Sequence, residues 1–401
     1  STLFPYTTLF RSVKFIYFQD LDIVAVVLGG VVFLFFAIQL YYYSHYFSGV
    51  IRKNRKDKQG RTIFNFAQPP VSVIICARNE SENLSNFLPK VLEQRYPNFE
   101  VILVNDGSED NTDIVLSALQ QKYTNLYVTN IPTGTNIISR KKLAITIGIK
   151  AAKNELLLFT DADCYPVSED WISLMVQNMT ADTEFVIGFG DYMKETSFIN
   201  RLISYDTLFI AMQYFGFAYA GKPYMGVGRN LMYKRSTFYR NKGFAGHLHI
   251  ASGDDDLLIN KAGNRTNTAI ACKANGKTMS VPEKTFTKWC LQKKRHLRAS
   301  ALYSTDSRRR IGMEAVSRYL FYLSLIPAAL TFNIYLIAFA ALLLIIRYIK
   351  QLSTINKTAK ILNTSKHVLA IPIFDILLPI ISFFLLITNG KNNDKSQPRS
   401  V

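Results

Sequence analysis

The sequence has no closely spaced cysteines. Its four, Cys76, Cys164, Cys272 and Cys290, lie far apart, and no Cys-x-x-Cys pair exists. This spacing argues against a zinc site and fits a reduced compartment. The chain also lacks a Walker loop, and no G-x-G-x-x-G follows a strand, so the usual NTPase and dinucleotide readings have no support. There is no internal repeat. His45, His247, His249 and His367 show no metal-ligand spacing. Acids are scarce: 29 Asp and Glu face 47 Lys and Arg, for a net charge of +18. That balance invites a nucleic-acid reading, but no recognition motif accompanies it. The bases cluster beside apolar runs, which suits an anionic membrane surface or a phosphorylated substrate, and no nucleic-acid partner is expected.

What is present is unevenly spread. Hydrophobic residues make up 49% of the chain and concentrate near the N-terminus and in the last hundred residues. Ile23 to Tyr43 carries no charge and is almost wholly apolar. Roughly 20 such residues span a bilayer. The stretch is long for a signal peptide, and Tyr41, Tyr42 and Tyr43 suit an interfacial belt. Arg52, Lys53, Arg55, Lys56, Lys58 and Arg61 follow, against the single acid Asp57, which makes this side cytoplasmic by the positive-inside rule. Tyr319 to Ile346 is again free of charge, and it divides near Thr331-Phe332-Asn333 into two helices. Arg347 to Lys366 holds five cations and no acid, as a second cytoplasmic loop would. Val368 to Thr388 reads as a last span carrying Pro372, Asp375 and Pro379. Ser1 to Ser12 match no element, so residues 1–22 are set aside as a foreign or mis-called start. The expected organisation is a membrane helix over 23–45, a cytoplasmic domain over 51–312, a membrane hairpin over 317–349, a basic loop over 350–366, a membrane helix over 367–389 and a polar tail over 390–401.

Between the apolar ends, strands and helices alternate. Val71 to Cys76, Glu100 to Val104, Leu126 to Val128 and Leu156 to Thr160 read as strands. Ser81 to Gln94, Asp110 to Gln121 and Lys141 to Lys153 read as helices, with Leu84, Phe87, Leu88, Val91 and Leu92 on one face of the first. Such alternation means a mostly parallel sheet with helices on both faces, an α/β fold. Glu184 to Gly190 is expected as one further strand. Residues 196–220, rich in aromatics, fit either core or an interfacial helix. Residues 289–299 form a basic amphipathic stretch.

Acids punctuate the ends of these strands. Glu80, Asp106 and the pair Asp161 and Asp163 each follow a predicted strand, and parallel strands share one carboxyl edge, where open α/β sheets bind ligands. A lone acid after a strand is more often a turn former or helix cap; three sites at one edge are harder to dismiss. An Asp-x-Asp pair there can hold a divalent cation through oxygen ligands. Asp254, Asp255 and Asp256 form a second cluster before a helix, where the dipole favours one acid but three repel each other.

Val73-Ile74-Ile75 with Ala77-Arg78-Asn79-Glu80, then Asn105-Asp106-Gly107-Ser108, then Asp161-Ala162-Asp163, resembles a family 2 glycosyltransferase with a GT-A fold. The resemblance runs from about Val71 to His296, and the membrane segments resemble membrane-bound members such as cellulose and hyaluronan synthases and ceramide glucosyltransferases. It implies a nucleotide-sugar donor, a UDP-sugar by family precedent, and Mg2+ or Mn2+ held by Asp163 with Asp161. Arg78, Glu80 and Asp106 would contact the nucleotide, Asp106 at the base. Lys141 matches a family lysine seven residues before a helix glycine, here Gly148, and would lie near the nucleotide, as would Asp161 at the ribose. Gly253-Asp254-Asp255 resembles an acidic pair beside the acceptor, with Asp255 as the general base. Gln292-Lys293-Lys294-Arg295-His296 resembles the family's Gln-x-x-Arg-Trp, with His296 in the place of Trp. Arg295 would bind the departing diphosphate, and Gln292 and His296 would border the acceptor. Gly226 to Asn230, with Gly228 at its centre, would wall the donor sugar. His offers less stacking area than Trp, which favours transfer to a lipid or a single sugar over a growing polysaccharide. The rival readings are a processive polysaccharide synthase and a catalytically silent nucleotide-sugar-binding membrane protein.

Overall fold

The computed structural model describes residues 23–131, 139–247, 253 and 256–389. The expected start at 1–22, the polar tail and the acids Asp254 and Asp255 lie outside these residues.

Strands β1 (Val71–Ala77), β2 (Phe99–Asn105), β3 (Leu126–Asn130) and β4 (Leu156–Phe159) pair in parallel in the order β3-β2-β1-β4. Side chains alternate across a strand. Ile74, Ile102, Val104, Leu157 and Phe159 therefore face one way, and Val73, Ile75, Val101, Leu103 and Leu158 the other. The first face packs on α5 (Arg140–Ala151) and α7 (Phe198–Tyr219). The second packs on α3 (Ser81–Leu92), α4 (Thr112–Lys122) and α6 (Trp171–Val176). The expected sheet with helices on both faces is present.

Beyond β4 the sheet is mixed. It continues through β8 (Leu231–Lys234), which runs into α8 (Arg235–Arg240), then β6 (Phe185–Ile187) and β9 (Thr268–Ile270), with β8 antiparallel to both its neighbours and β9 parallel to β6. A second sheet of three strands, β5 (Cys164–Pro166), β10 (Thr278–Ser280) and β7 (Gly190–Tyr192), lies in the order β5-β10-β7. The single strand expected over 184–190 is thus two strands in two sheets. Gly188 lies at the break, where a Cβ would fall 2.4 Å from the Asn230 side chain. Asn230 is fully buried, accepts from the Trp171 indole at 3.0 Å, and donates to the carbonyls of Phe189 and Gly276 at 3.0 and 2.8 Å. Only a residue without a side chain lets this hub approach the backbone.

The aromatic stretch is helix α7, buried on nearly all sides. Phe209, Phe215 and Phe217 join the main cluster, and full burial of such side chains stabilises by about 1.5–3 kcal/mol each. Of the two openings left by the sequence, core is the one observed.

The apolar ends form helices. α1 (Ile23–Tyr41) passes through a π-helical turn (Tyr42–Tyr46) into α2 (Gly49–Lys58). α11 (Thr305–Leu330) and α12 (Ile334–Leu362) break at residues 331–333, as the sequence indicated, and α13 (Ala370–Asn389) follows. Among the described residues three helical stretches are long and apolar enough to cross a membrane, against about four expected: Ile23–Lys58, Ile334–Leu362 and Ala370–Thr388. α11 falls short because Glu314 and Arg318 enter it ahead of a short uncharged stretch. The basic loop expected over 350–366 is also corrected, since α12 continues to Leu362. Gln351, Thr354, Ile355, Thr358, Ala359 and Leu362 are buried at helical spacing, and the cations stand on the other side. Asn363, in the left-handed region at φ 50°, ends the helix.

Val32, Phe36, Phe321, Ala328, Leu336, Ala340 and Leu343 make a cluster shared by α1, α11 and α12. At one end of it a buried polar network joins four helices. Arg347 pairs with Asp375 at 2.8 Å and donates to Gln39 at 2.9 Å, and Arg318 lies 3.6 Å from Asp375 and 3.2 Å from Glu314. Charges this deep persist only when paired. α13 packs differently from the other three. Its Ile371, Phe374 and Leu378 join the cluster around α7, and the carbonyl of Thr388 accepts from Lys294 of α10 (Phe286–Ser300).

Candidate active site

The carboxyl edge of the parallel strands is built from interlocked turns. The Asn79 amide donates to Ser108 Oγ at 2.9 Å, and Asn79 Oδ1 accepts from the Glu109 amide at 2.8 Å. The Glu80 amide donates to Thr112 Oγ1 at 3.1 Å, and Asp110 accepts from the Ser81 and Thr112 amides at 3.1 Å each. The turn after β1 and the turn after β2 are thereby fixed to each other. They carry Arg78 and Glu80 on one side and Asp106 on the other. Arg78 is half-buried, with Nε buried and without a hydrogen-bond partner among the described residues.

Asp106 is buried, and Oδ1 accepts from Arg140 Nε at 2.7 Å, while Arg140 Nη2 donates to the Asp106 carbonyl at 3.3 Å. The next residue on α5, Lys141, donates to Asp161 Oδ1 at 3.1 Å. Consecutive cations at the start of one helix thus hold two of the expected nucleotide-binding acids. Lys141, Thr160, Asp161 and Gly228 line a cleft whose wall includes the rings of Phe159 and Tyr233, stacked 4.5 Å apart.

Asp161, Asp163 and Cys164 present oxygen and sulfur atoms all within 4.8 Å of one another. Burial, then the charge of Asp161, pushes the Asp163 carboxyl above its ordinary range, against the opposing pull of the Cys164 thiol, Arg229 and Lys141. Burial also raises Glu80; the Asn83 amide, 2.6 Å away, opposes this, and the charges of Asp163 and Asp161 add to it. Glu80, Asp161 and Asp163 therefore share one negative field. A divalent cation would relieve it, and two carboxylates on a tight turn are the hard-oxygen donors Mg2+ and Mn2+ take. The residues fit such an ion.

The helix carrying the Gln-x-x-Arg-His segment is anchored by Lys293, which donates to both oxygens of buried Asp206 on α7 at 2.7 Å. Its Gln292 Oε1 accepts from the Tyr192 hydroxyl at 3.3 Å. The Arg229 guanidinium covers the Tyr192 ring at 4.2 Å and donates to the Gly190 carbonyl at 3.1 Å. Gln292 is thereby tied through Tyr192 and Arg229 to the neighbourhood of Asp163. Arg295 and His296 stand exposed on the same helix. Gly253, at φ +82°, precedes α9 (Asp256–Ala262), and a Cβ there would meet Leu257 at 2.7 Å. Asp254 and Asp255 lie outside the described residues. Asp256 is buried and accepts from the Tyr303 hydroxyl at 2.5 Å.

Sequence reasoning missed Arg140, Tyr192, Arg229 and Ser280. Arg140 had a signal, a second cation beside Lys141. Arg229 enters the sequence reading only as part of the Gly226 to Asn230 stretch. Tyr192 and Ser280 sit on strands of three residues, too short to show a period.

Fold and site together define a mixed α/β domain with convergent acids at its carboxyl edge, carried on apolar helices. Residues 72–241 match glycosyl transferase family 2. The chain is 34% identical over 111 residues to a dolichyl-phosphate beta-glucosyltransferase of Trichomonas vaginalis, covering 26% of this chain and 33% of that protein. It is 32% identical over 93 residues to a poly-beta-1,6-N-acetyl-D-glucosamine synthase of Staphylococcus epidermidis, covering 23% and 21%. The chain thus spans a third or less of these relatives. A mannosyltransferase of Pyrobaculum calidifontis, solved with GDP-Man and Mn2+, superposes with a TM-score of 0.55 at 17% identity, covering 92% of this chain and all of that one. This likeness is one of fold, and the fold is GT-A-like.

Proposed function

We propose that this protein is a metal-dependent, inverting glycosyltransferase of the membrane. It moves a sugar from a nucleotide-sugar donor, a UDP-sugar, to a lipid or lipid-linked acceptor. The observation that carries this reading is the gathering of Glu80, Asp161 and Asp163 in one field at the carboxyl edge, with Arg140 on Asp106 and Lys141 on Asp161 beside them. The named relatives support it: one is named a dolichyl-phosphate beta-glucosyltransferase, and the structural neighbour was solved with GDP-Man and Mn2+.

In this mechanism Asp106 accepts from the base and Arg78 and Glu80 line the nucleoside. Asp161 and Asp163 would hold Mg2+ or Mn2+, which when bound neutralises the donor diphosphate. Lys141 fixes Asp161, and Gly228 lets the sugar lie close to the backbone. Asp255, with Asp254 beside it, takes the proton from the acceptor hydroxyl as that oxygen attacks the anomeric carbon. The bond to the diphosphate breaks in the same displacement, so the carbon inverts. Arg295 receives the leaving diphosphate, and Gln292 and His296 border the acceptor. The domain is assigned to the cytoplasmic face of a bacterial inner membrane, with the bases of α2 and of the second half of α12 on that side.

The test is incubation of membranes containing the protein with a panel of nucleotide sugars, followed by mass analysis of the lipid extract. A lipid gaining one sugar mass from one donor supports the reading. Label appearing only in long polymer would move it to a processive synthase, the activity named for the staphylococcal relative.

A further inference from the structure

Asp163 is held by two side chains that a metal ligand does not by itself require. The Cys164 thiol donates to Oδ1 at 3.2 Å. The Ser280 hydroxyl donates to Oδ2 at 3.4 Å. Thiol and hydroxyl stand 3.0 Å apart. The register of the small sheet sets this triangle. Ser280 lies opposite Cys164 in the β5–β10 pairing and opposite Tyr192 in the β10–β7 pairing. One row across three strands therefore carries the groups that touch Asp163 and the tyrosine that touches Gln292.

Cys164 and Ser280 are 2% and 1% exposed, so water does not compete for these contacts. A thiol and a hydroxyl each bring a single proton to donate. The carboxylate is the one charged acceptor in the triangle. The S–H points to Oδ1, and the O–H points to Oδ2 or to the thiol sulfur. With the O–H on Oδ2, both oxygens of the carboxylate are held. Lys141 fixes Asp161 from another side. Both carboxylates are oriented before a cation arrives, and orienting ligands in advance raises affinity by lowering the cost of ordering on binding.

We propose that Ser280 and Cys164 are positioning residues that set the Asp163 carboxylate for the divalent cation. This rests on the reading of Asp163 as a metal ligand given above. The experiment is Mn2+ binding to the full chain in detergent, measured by electron paramagnetic resonance of the free ion, with thermal unfolding recorded beside it. Ser280→Ala is expected to weaken Mn2+ binding about five- to tenfold, the scale of one ordinary net hydrogen bond. Ser280→Thr, which keeps the hydroxyl, restores it. Cys164→Ala weakens binding, and Cys164→Ser, which keeps a donor, does not. A purely structural role would lower the unfolding temperature in the alanine variants and leave Mn2+ affinity unchanged; that result overturns the proposal. A cadmium–thiolate absorption band that appears on adding Cd2+ and vanishes in Cys164→Ala also overturns it, since the thiol would then be a ligand. Unchanged Mn2+ binding in Asp163→Ala would overturn the metal reading itself, and this proposal with it.

Discussion

Lys277 and Asp191 form an ion pair at 2.9 Å with both side chains nearly out of solvent, and the same ammonium donates to the Asn363 carbonyl at 2.7 Å. Lys277 precedes β10 and Asp191 lies on β7, while Asn363 caps α12. A single cation thus joins the small sheet behind Asp163 to the end of an apolar helix.

This junction should be costly to break from one side. Lys277→Met leaves Asp191 buried without its partner, and losing one member of a buried pair costs about 3–5 kcal/mol. Thermal unfolding in detergent should show the loss. The double variant Lys277→Met with Asp191→Leu should recover much of it, because no charge is then stranded. Equal destabilisation in single and double variants would mean the pair is not the source.

His367 lies at the same junction and makes it sensitive to pH. It is buried, its ring meets the Tyr205 ring edge-on at 5.3 Å, and its backbone exchanges hydrogen bonds with Asn356 at 2.9 and 2.6 Å. Burial pushes the imidazole down to about 4, against the attraction of Asp191. Unfolded, it titrates near 6.5. Between these values the unfolded chain binds a proton that the folded chain refuses, so stability falls as pH drops from about 6.5 toward 4. Above 6.5 the histidine is neutral in both states and costs nothing. Unfolding temperature measured across this window should decline in the native protein and decline less in His367→Phe. Parallel curves would assign the acid sensitivity elsewhere.

The extent to which the sequence foretold these features follows from local physics. Strands β1, β2 and β4 are continuous apolar runs ended by polar turns, and burial on both faces demands that pattern. The acids at their ends could be placed on one edge from strand direction alone. The three-residue strands β5, β7 and β10 have no period to read, so the row Cys164, Ser280, Tyr192 was invisible. The stretch after Arg347 misled because lysines were counted as a loop. Their spacing, Lys350, Lys357 and Lys360, is that of one helix face. The partners Arg140 for Asp106 and Lys293 for Asp206 depend on tertiary proximity that no local pattern encodes.

Arg140 offers a test of the nucleotide end. It occupies Asp106 Oδ1 and the backbone carbonyl together, which fixes how the carboxylate faces the edge. Arg140→Ala should weaken binding of a nucleoside diphosphate about tenfold, the scale of losing a hydrogen-bonded ion pair, in isothermal titration. Arg140→Lys should recover only part of this, because an ammonium cannot span both acceptors as the guanidinium fork does. Full affinity in Arg140→Ala would remove Asp106 from the binding site.

The acids before α9 divide by what already holds them. Asp256 is buried and bonded to Tyr303, and beside it the Ser304 amide donates to Asn260 at 2.7 Å, so this end of α9 is stitched to the segment that leads into α11. An acid engaged in that way is a poor proton acceptor for a substrate, which is consistent with the proposal of Asp255 as the base. Asp255→Asn keeps the size and removes the basicity. It should abolish sugar transfer, by about a thousandfold or more if general-base catalysis has its usual weight, while nucleotide binding stays near normal. Asp256→Asn should do the reverse: it should lower the unfolding temperature and leave transfer by the folded fraction largely intact. Transfer assays and melting curves on the two variants, run side by side, separate the roles. Normal transfer by Asp255→Asn would move the base to Asp254.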